Sequence, residues 1–188
     1  NKDKDHLTKA ELETLINKPM PNERLERIRD VFTFCCLTGL AFTDADHLRP
    51  EHIGADANGT LWIHKPREKT AIMSRIPLLP YTIELLRKYE SDKTCRERGR
   101  MLPIPSNNKM NAYLKEIATI CNIDKTLTTH VARHTFACLA VEYGMPIDVL
   151  AKILGHSNTN MTRHYAKFSE QLIGREMQKI GQVFAAAN

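Results

Sequence analysis

Long apolar runs are missing from this 188-residue sequence, so no segment reads as a membrane-spanning helix. The opening Asn1-Lys2-Asp3-Lys4-Asp5 has none of the apolar stretch of a signal peptide, and an initiating Met is absent. Both features are read as the start of a piece excised from a longer, cytoplasmic protein. Cysteine is sparse: Cys35, Cys36, Cys95, Cys121 and Cys138 form no CxxC pair, and an odd count closes no disulfide set. Reduced, mostly buried thiols are the expectation. Aromatic residues make up only 6%, which points to a core of Leu, Ile and Ala. The acidic residues are scattered, with no DxD or Glu-rich cluster, so nothing recommends a hydrolase that gathers divalent metal on carboxylates. Internal repeats and low-complexity segments are absent as well.

What is present suits one globular domain: 42% hydrophobic residues, 26% charged, and a net charge of +5. The positive balance is compatible with a polyanion such as nucleic acid without requiring one.

Periodicity predicts a mainly α fold with one small antiparallel β-sheet, an α+β arrangement. Thr8-Lys9-Ala10-Glu11 is a capping box that opens a first helix, which Pro19 and Pro21 end. A longer helix runs from about Asn22 to a stop at Gly39, and Thr43-Asp44-Ala45-Asp46 caps a short one closed by Pro50. Thr60–His64 and Ile72–Leu78 read as strands joined by the charged turn Arg67-Glu68-Lys69-Thr70. A helix follows from Pro80, then a basic link over Arg96–Arg100 and a short edge strand at Met101-Leu102. Further helices are expected at about Asn107–Asn122, His130–Tyr143, Pro146–Leu154 and Glu170–Val183, the first turn of the His130 helix capped by Thr128-Thr129.

The densest set of chemically capable side chains lies between Thr128 and Tyr165. His130, Arg133 and His134 sit three and four apart, on one helical face. Gly155 frees the backbone to present His156 from a turn, and Tyr165 follows nine residues later. This mixture suits phosphodiester chemistry. Guanidinium groups answer the charge that builds on nonbridging oxygens. A positioned Lys or imidazolium answers the poor alkoxide leaving group. A tyrosine nucleophile conserves the energy of the cut bond in a phosphotyrosine, so resealing needs no ATP. Its phenol, with a free pKa of ~10, needs cations or a base nearby. His130 and His134 are also spaced as zinc ligands, but Val131 stands where a zinc protease would carry its glutamate.

His130-x-x-Arg133-His134, Leu154-Gly155-His156 and then Tyr165 together resemble the motif set of the tyrosine recombinase, or phage integrase, family. Thr38-Gly39-Leu40 with Asp44 resembles that family's earlier box, and Lys69 matches its hairpin lysine. The resemblance implies the family's catalytic-domain fold across 1–188, without the family's separate N-terminal DNA-gripping domain. It implies Tyr165 as nucleophile, Arg133 as a scissile-phosphate ligand, Lys69 as general acid, His130 as an aid to proton transfer and His156 as a hydrogen-bonding partner of the phosphate. Asp44 and His134 are expected behind these groups, Asp44 either capping a helix or orienting the site, and Lys65 is a rival to Lys69. No metal or other cofactor is implied. The implied partner is double-stranded DNA, bound by a homotetramer on paired sites that is monomeric when free, with accessory DNA-bending proteins, at the bacterial nucleoid. The helix within 169–188 carries an apolar stripe for its own core or for a neighbouring protomer.

One position departs from the family pattern: Ala41 stands where an arginine normally follows Thr-Gly-Leu. Some mobile-element integrases are similar in lacking it. Arg29 and then Arg49 are the expected substitutes. Strand passage of the type IB topoisomerase kind, or a DNA-binding module with weakened catalysis, are the alternative readings.

Overall fold

The computed structural model describes residues 5–166 and 170–185; parts of two expectations, the leading residues 1–4 and the ends of the C-terminal segment at 169 and 186–188, lie outside them. The predicted capping box forms at the start of α1 (Lys9–Asn17), with the Glu11 amide donating to Thr8 Oγ1 and the Thr8 amide donating to Glu11 Oε1. Helix α2 (Glu23–Thr38) begins at Asn22, whose side chain accepts from the Leu25 amide, and ends at Gly39 in the left-handed region at φ 74°. Apolar and small residues surround α2 on nearly every side, so it is buried as the axle of the domain. It packs on α1, on α4 (Pro80–Tyr89), on α6 (Asn107–Ile120) and on α7 (Thr129–Glu142).

The short α3 (Phe42–Asp46) starts two residues earlier than expected, with Ala41 rather than Thr43 as N-cap. A single turn at Pro50–His52 then leads into the sheet. Strands β1 (Ile53–Ala55), β2 (Leu61–Pro66) and β3 (Met73–Pro77) pair antiparallel in that order. Register aligns Ile53, Ile63 and Ile76 across one face, and next along that face Lys65 pairs with Ser74. The strand expected at Met101-Leu102 does not form; the third strand is β1, and Met101 makes a lone amide bond to the Leu48 carbonyl. The basic link is instead largely helix: α5 (Lys93–Arg98) is capped by Asp92 and stopped at Gly99.

Helix α7 has Thr128 as N-cap, but without the expected side-chain bond. Helix α8 (Ile147–Leu154) ends at Gly155 in the left-handed region, α9 (Asn160–Arg163) is one turn, and α10 (Glu170–Ala185) closes the described chain. Helix α8 lies against β3, which brings the ends of α7 and α8, the Gly39 turn and the hairpin to one place. Folding of α10 back onto the core is limited: Leu172 is buried, whereas Ile173, Met177, Ile180, Val183 and Phe184 are each at least half exposed. No helix among the described residues is long and apolar enough to cross a membrane.

Candidate active site

The site assembles around Arg133. It lies one turn into α7, and its guanidinium donates to the Gly39 carbonyl at 2.7 Å and the Leu154 carbonyl at 2.9 Å. Those two carbonyls belong to the C-terminal ends of α2 and α8, where unsatisfied oxygens and the negative helix pole attract a cation. Gly39 is constrained on both counts that favour glycine. Its φ is positive, and a Cβ there would come within 2.6 Å of the Phe136 ring.

His156, just past α8, places Nε2 3.3 Å from Arg133 Nη2 and Nδ1 2.7 Å from the buried Thr162 hydroxyl. Burial, then the charges of Arg133 and Arg67, push the imidazole down to about 4, so it is neutral at pH 7. Arg133 itself is pushed down to about 10, by burial first and by Arg67 second. The two guanidinium groups are thus close enough for each charge to oppose the other, with the Asp44 carboxylate acting on both.

Arg67 belongs to none of the motifs that the sequence displays. It follows β2, and its side chain is 10% exposed. Its Nε lacks a full hydrogen-bond partner and lies 3.5 Å from Asp44 Oδ2. Its aliphatic stem packs so closely on Gly155 that a Cβ there would fall 2.8 Å from Arg67 Cδ and 2.5 Å from Ser74 Oγ. Gly155 is therefore needed for contact as well as for its φ of 65°. Period-two alternation is the one signal that could have found Arg67: Leu61, Ile63, Lys65 and Arg67 share one face of β2 and its extension, and Ile63 is fully buried.

Asp44 links α3 to the hairpin. One carboxylate oxygen accepts from the Glu68 amide at 2.8 Å and lies 3.7 Å from Lys65 Nζ, while the other faces Arg67. These contacts run to the hairpin rather than to a helix end. Lys65 is 2% exposed and its ammonium is engaged by Glu68 at 2.7 Å and the Pro66 carbonyl at 3.0 Å. Lys69, at the tip of the turn, is exposed and has no ion pair or hydrogen bond among the described residues.

Neither expected substitute for the missing arginine reaches Arg133. Arg29 is buried in the middle of α2, where it donates to the carbonyls of Leu15 and Lys18 at the end of α1 and to Asp30. It is a structural cap, and its donors are engaged there. Arg49 is exposed ahead of the turn at Pro50.

Tyr165 is half-buried after α9, packed against the small core formed by α7 and α8. Burial raises its phenol pKa and the charge of Arg133 pulls it back, which puts the phenol within electrostatic reach of the guanidinium. Its ring lies 3.9 Å from the His164 ring and 5.2 Å from the His134 ring. His134 thus lies on the Tyr165 side of the site. His130 stands exposed in the first turn of α7, three residues before Arg133. The structure therefore groups Arg133, His156, Arg67 and Tyr165, with Lys69 and His130 on the solvent side.

Comparison with known proteins bears on the family and the fold. Residues 5–171 match the family model described as the phage integrase family. A tyrosine recombinase of Pseudothermotoga lettingae is 26% identical over 174 residues, covering 89% of this chain and 57% of that protein. Tyrosine recombinase XerD of Lacticaseibacillus casei is 24% identical over 176 residues, covering 88% and 59%. The chain thus spans a little over half the length of these curated relatives. Among solved structures, the XerH site-specific recombinase in a pre-cleavage complex with difH superposes with a TM-score of 0.70 at 21% identity, covering 92% of this chain and 53% of that one. The catalytic domain of bacteriophage HP1 integrase superposes with 0.67 at 22% identity, covering 94% and 95%. The Tn1549 transposon integrase in complex with circular intermediate DNA gives 0.68 at 18%, covering 96% and 68%. These likenesses establish the fold, and the family match over nearly the whole length establishes that this chain belongs to the phage integrase family of tyrosine recombinases.

Proposed function

We propose that the chain is the catalytic domain of a site-specific DNA recombinase or integrase that cuts and rejoins duplex DNA through Tyr165. The observation that carries this reading is the cationic pocket of Arg133 and Arg67 beside neutral His156, with the Tyr165 phenol in the field of Arg133.

In this reading the scissile phosphate takes up the guanidinium capacity of Arg133 and Arg67, which then face an anion rather than each other. Neutral His156 is suited to accept the phenolic proton or, once protonated, to hydrogen-bond a phosphate oxygen. Tyr165 Oη forms a bond to phosphorus as the bond to the 5′ oxygen breaks. Lys69, on the turn that faces solvent, donates a proton to that oxygen, and His130 assists the transfer. The products are a 3′-phosphotyrosine and a 5′ hydroxyl; attack by a hydroxyl of a second strand reverses the step without ATP. Arg67 stands in for the arginine that Ala41 lacks, while Asp44 and His134 orient Arg67 and Tyr165.

The partner is double-stranded DNA, gripped mainly through phosphates, so affinity falls steeply with salt. The exposed stripe on α10 supports docking on a second copy, as a homotetramer on paired sites requires. Accessory DNA-bending proteins and work at the nucleoid belong to the same proposal. To test it, duplexes selected for binding from a random library are nicked near the candidate cut and incubated with the protein. A covalent protein–DNA adduct that disappears in Tyr165→Phe is the expected result. Binding without any adduct would instead favour a DNA-binding module with weakened catalysis.

A further inference from the structure

A second group of reactive side chains lies outside the phosphate pocket. The ligand atoms of His6, His134 and Cys138, all partly buried, lie within 4.8 Å of one another. His134 and Cys138 are one turn apart on the same face of α7. His6 arrives from a different direction, on the segment that leads into α1.

Its placement is built rather than incidental. Leu7, the next residue, is fully buried, and its amide donates to the Thr135 hydroxyl on α7 at 3.0 Å. Lys125 Nζ donates to the His6 carbonyl at 2.9 Å and is itself paired with Glu11. The backbone at His6 is therefore held from both sides against α7. Its ring meets the His134 ring edge-on, with centroids 5.9 Å apart.

We propose that His6, His134 and Cys138 bind one borderline-soft divalent ion of the zinc type. Two imidazoles and a thiolate are the donors such an ion prefers. With metal–ligand distances of about 2.0–2.3 Å, a tetrahedron separates its donor atoms by roughly 3.3–3.8 Å, a closure that side-chain rotation supplies from the present spacing. Three protein donors leave the fourth position to water or another ligand. The ion has no part in strand cleavage. It ties the segment ahead of α1 to α7 and fixes the His134 ring, which lies 5.2 Å from that of Tyr165, so its occupancy restrains the neighbourhood of Tyr165. His134 and Cys138 have the four-residue spacing of a helical ligand pair, but the third donor, His6, comes from 128 residues away and is not linked to them by any motif in the sequence.

The test is a Co²⁺ titration of the chain under reducing conditions, followed by absorption spectroscopy and by competition with Zn²⁺. One equivalent is expected to bind with a thiolate-to-cobalt charge-transfer band and the intense visible bands of a tetrahedral site, both removed by Zn²⁺. Cys138→Ser should abolish the charge-transfer band. His6→Ala, a change to a partly exposed side chain ahead of the first helix, should weaken Co²⁺ binding at least tenfold while leaving the circular dichroism unchanged. Absence of a charge-transfer band in the unmodified protein would overturn the proposal. So would a band of full intensity in Cys138→Ser, which would place the ion on another cysteine, or undiminished affinity in His6→Ala.

Discussion

Replacing Arg67 by alanine isolates the feature on which the proposed phosphate site depends. The side chain is 10% exposed and its Nε has no full hydrogen-bond partner, so in the DNA-free protein it contributes little pairing energy that its loss could remove. Asp44 keeps the Glu68 amide at 2.8 Å and Lys65 at 3.7 Å, so the carboxylate is not stranded. A stability loss of about 1–2 kcal/mol is expected, mostly from the stem packed on Gly155. The transition state is affected far more. Losing one preorganised donor to a developing oxyanion costs about 10²–10³ in rate, or about 2.7–4 kcal/mol. Single-turnover cleavage of a nicked duplex at saturating protein should therefore slow by that factor in Arg67→Ala, with binding of uncleaved DNA weakened only several-fold. Arg67→Lys should recover part of the rate, since it keeps the charge and loses the fork. Arg67→Ala should also raise the His156 pKa, because Arg67 is one of the charges that depress it. Cleavage by Arg67→Ala within about threefold of the unmodified rate would refute the assignment, since an oxyanion donor is worth far more than that.

Other outcomes follow from the same contacts. Arg29→Ala should cost about 2–4 kcal/mol in denaturant unfolding, because it uncaps α1 and removes a partner of buried Asp30, and should leave phosphate affinity at the site unchanged. Gly155→Ala, at φ 65° and within 2.8 Å of Arg67 Cδ, should slow cleavage by displacing Arg67 and lower the thermal midpoint. The folded His156 pKa is depressed to about 4 from 6.5, so the unfolded chain binds the extra proton. Its contribution to stability is present above pH 6.5 and declines as pH falls from 6.5 towards 4; thermal melts of His156→Gln should show a shallower acid decline. Tyr165→Phe should keep DNA affinity and fold, since the ring still packs on the core of α7 and α8, while losing all covalent adduct.

The long periodic segments were legible because a 3.6-residue apolar repeat sustained over three or more turns fits a helix and no other regular backbone. Gly39 and Gly155 marked the ends of α2 and α8 because no other residue accepts those turns so readily. Strand β1 was not legible: Ile53-Gly54-Ala55 is three residues with a glycine, and only pairing with β2 makes it a strand. Helix α5 escaped for the opposite reason, since Cys95 is its one buried residue and polar faces carry no periodic signal. Motif spacing pointed to Arg133, His156 and Tyr165, and the fold brings them together. The arginine that lies beside Arg133 could not be read by proximity to Ala41 in sequence. Arg29 lies closer to Ala41 along the chain, yet it faces the end of α1, whereas Arg67 returns across the hairpin to Gly155. The apolar stripe on α10 was visible; that it would remain exposed was not.

Everything in the mechanism turns on one phenolic oxygen attacking a phosphate held by Arg133 and Arg67. The most direct test is to trap the covalent product on a nicked duplex, digest protein and DNA, and map the linkage by mass spectrometry with end-group analysis of the released strand. A nucleotide 3′-phosphate esterified to Tyr165, with a 5′ hydroxyl on the other fragment, is the predicted result. A linkage to a different residue, or cleavage that leaves a free 3′ hydroxyl and no protein adduct, would contradict it.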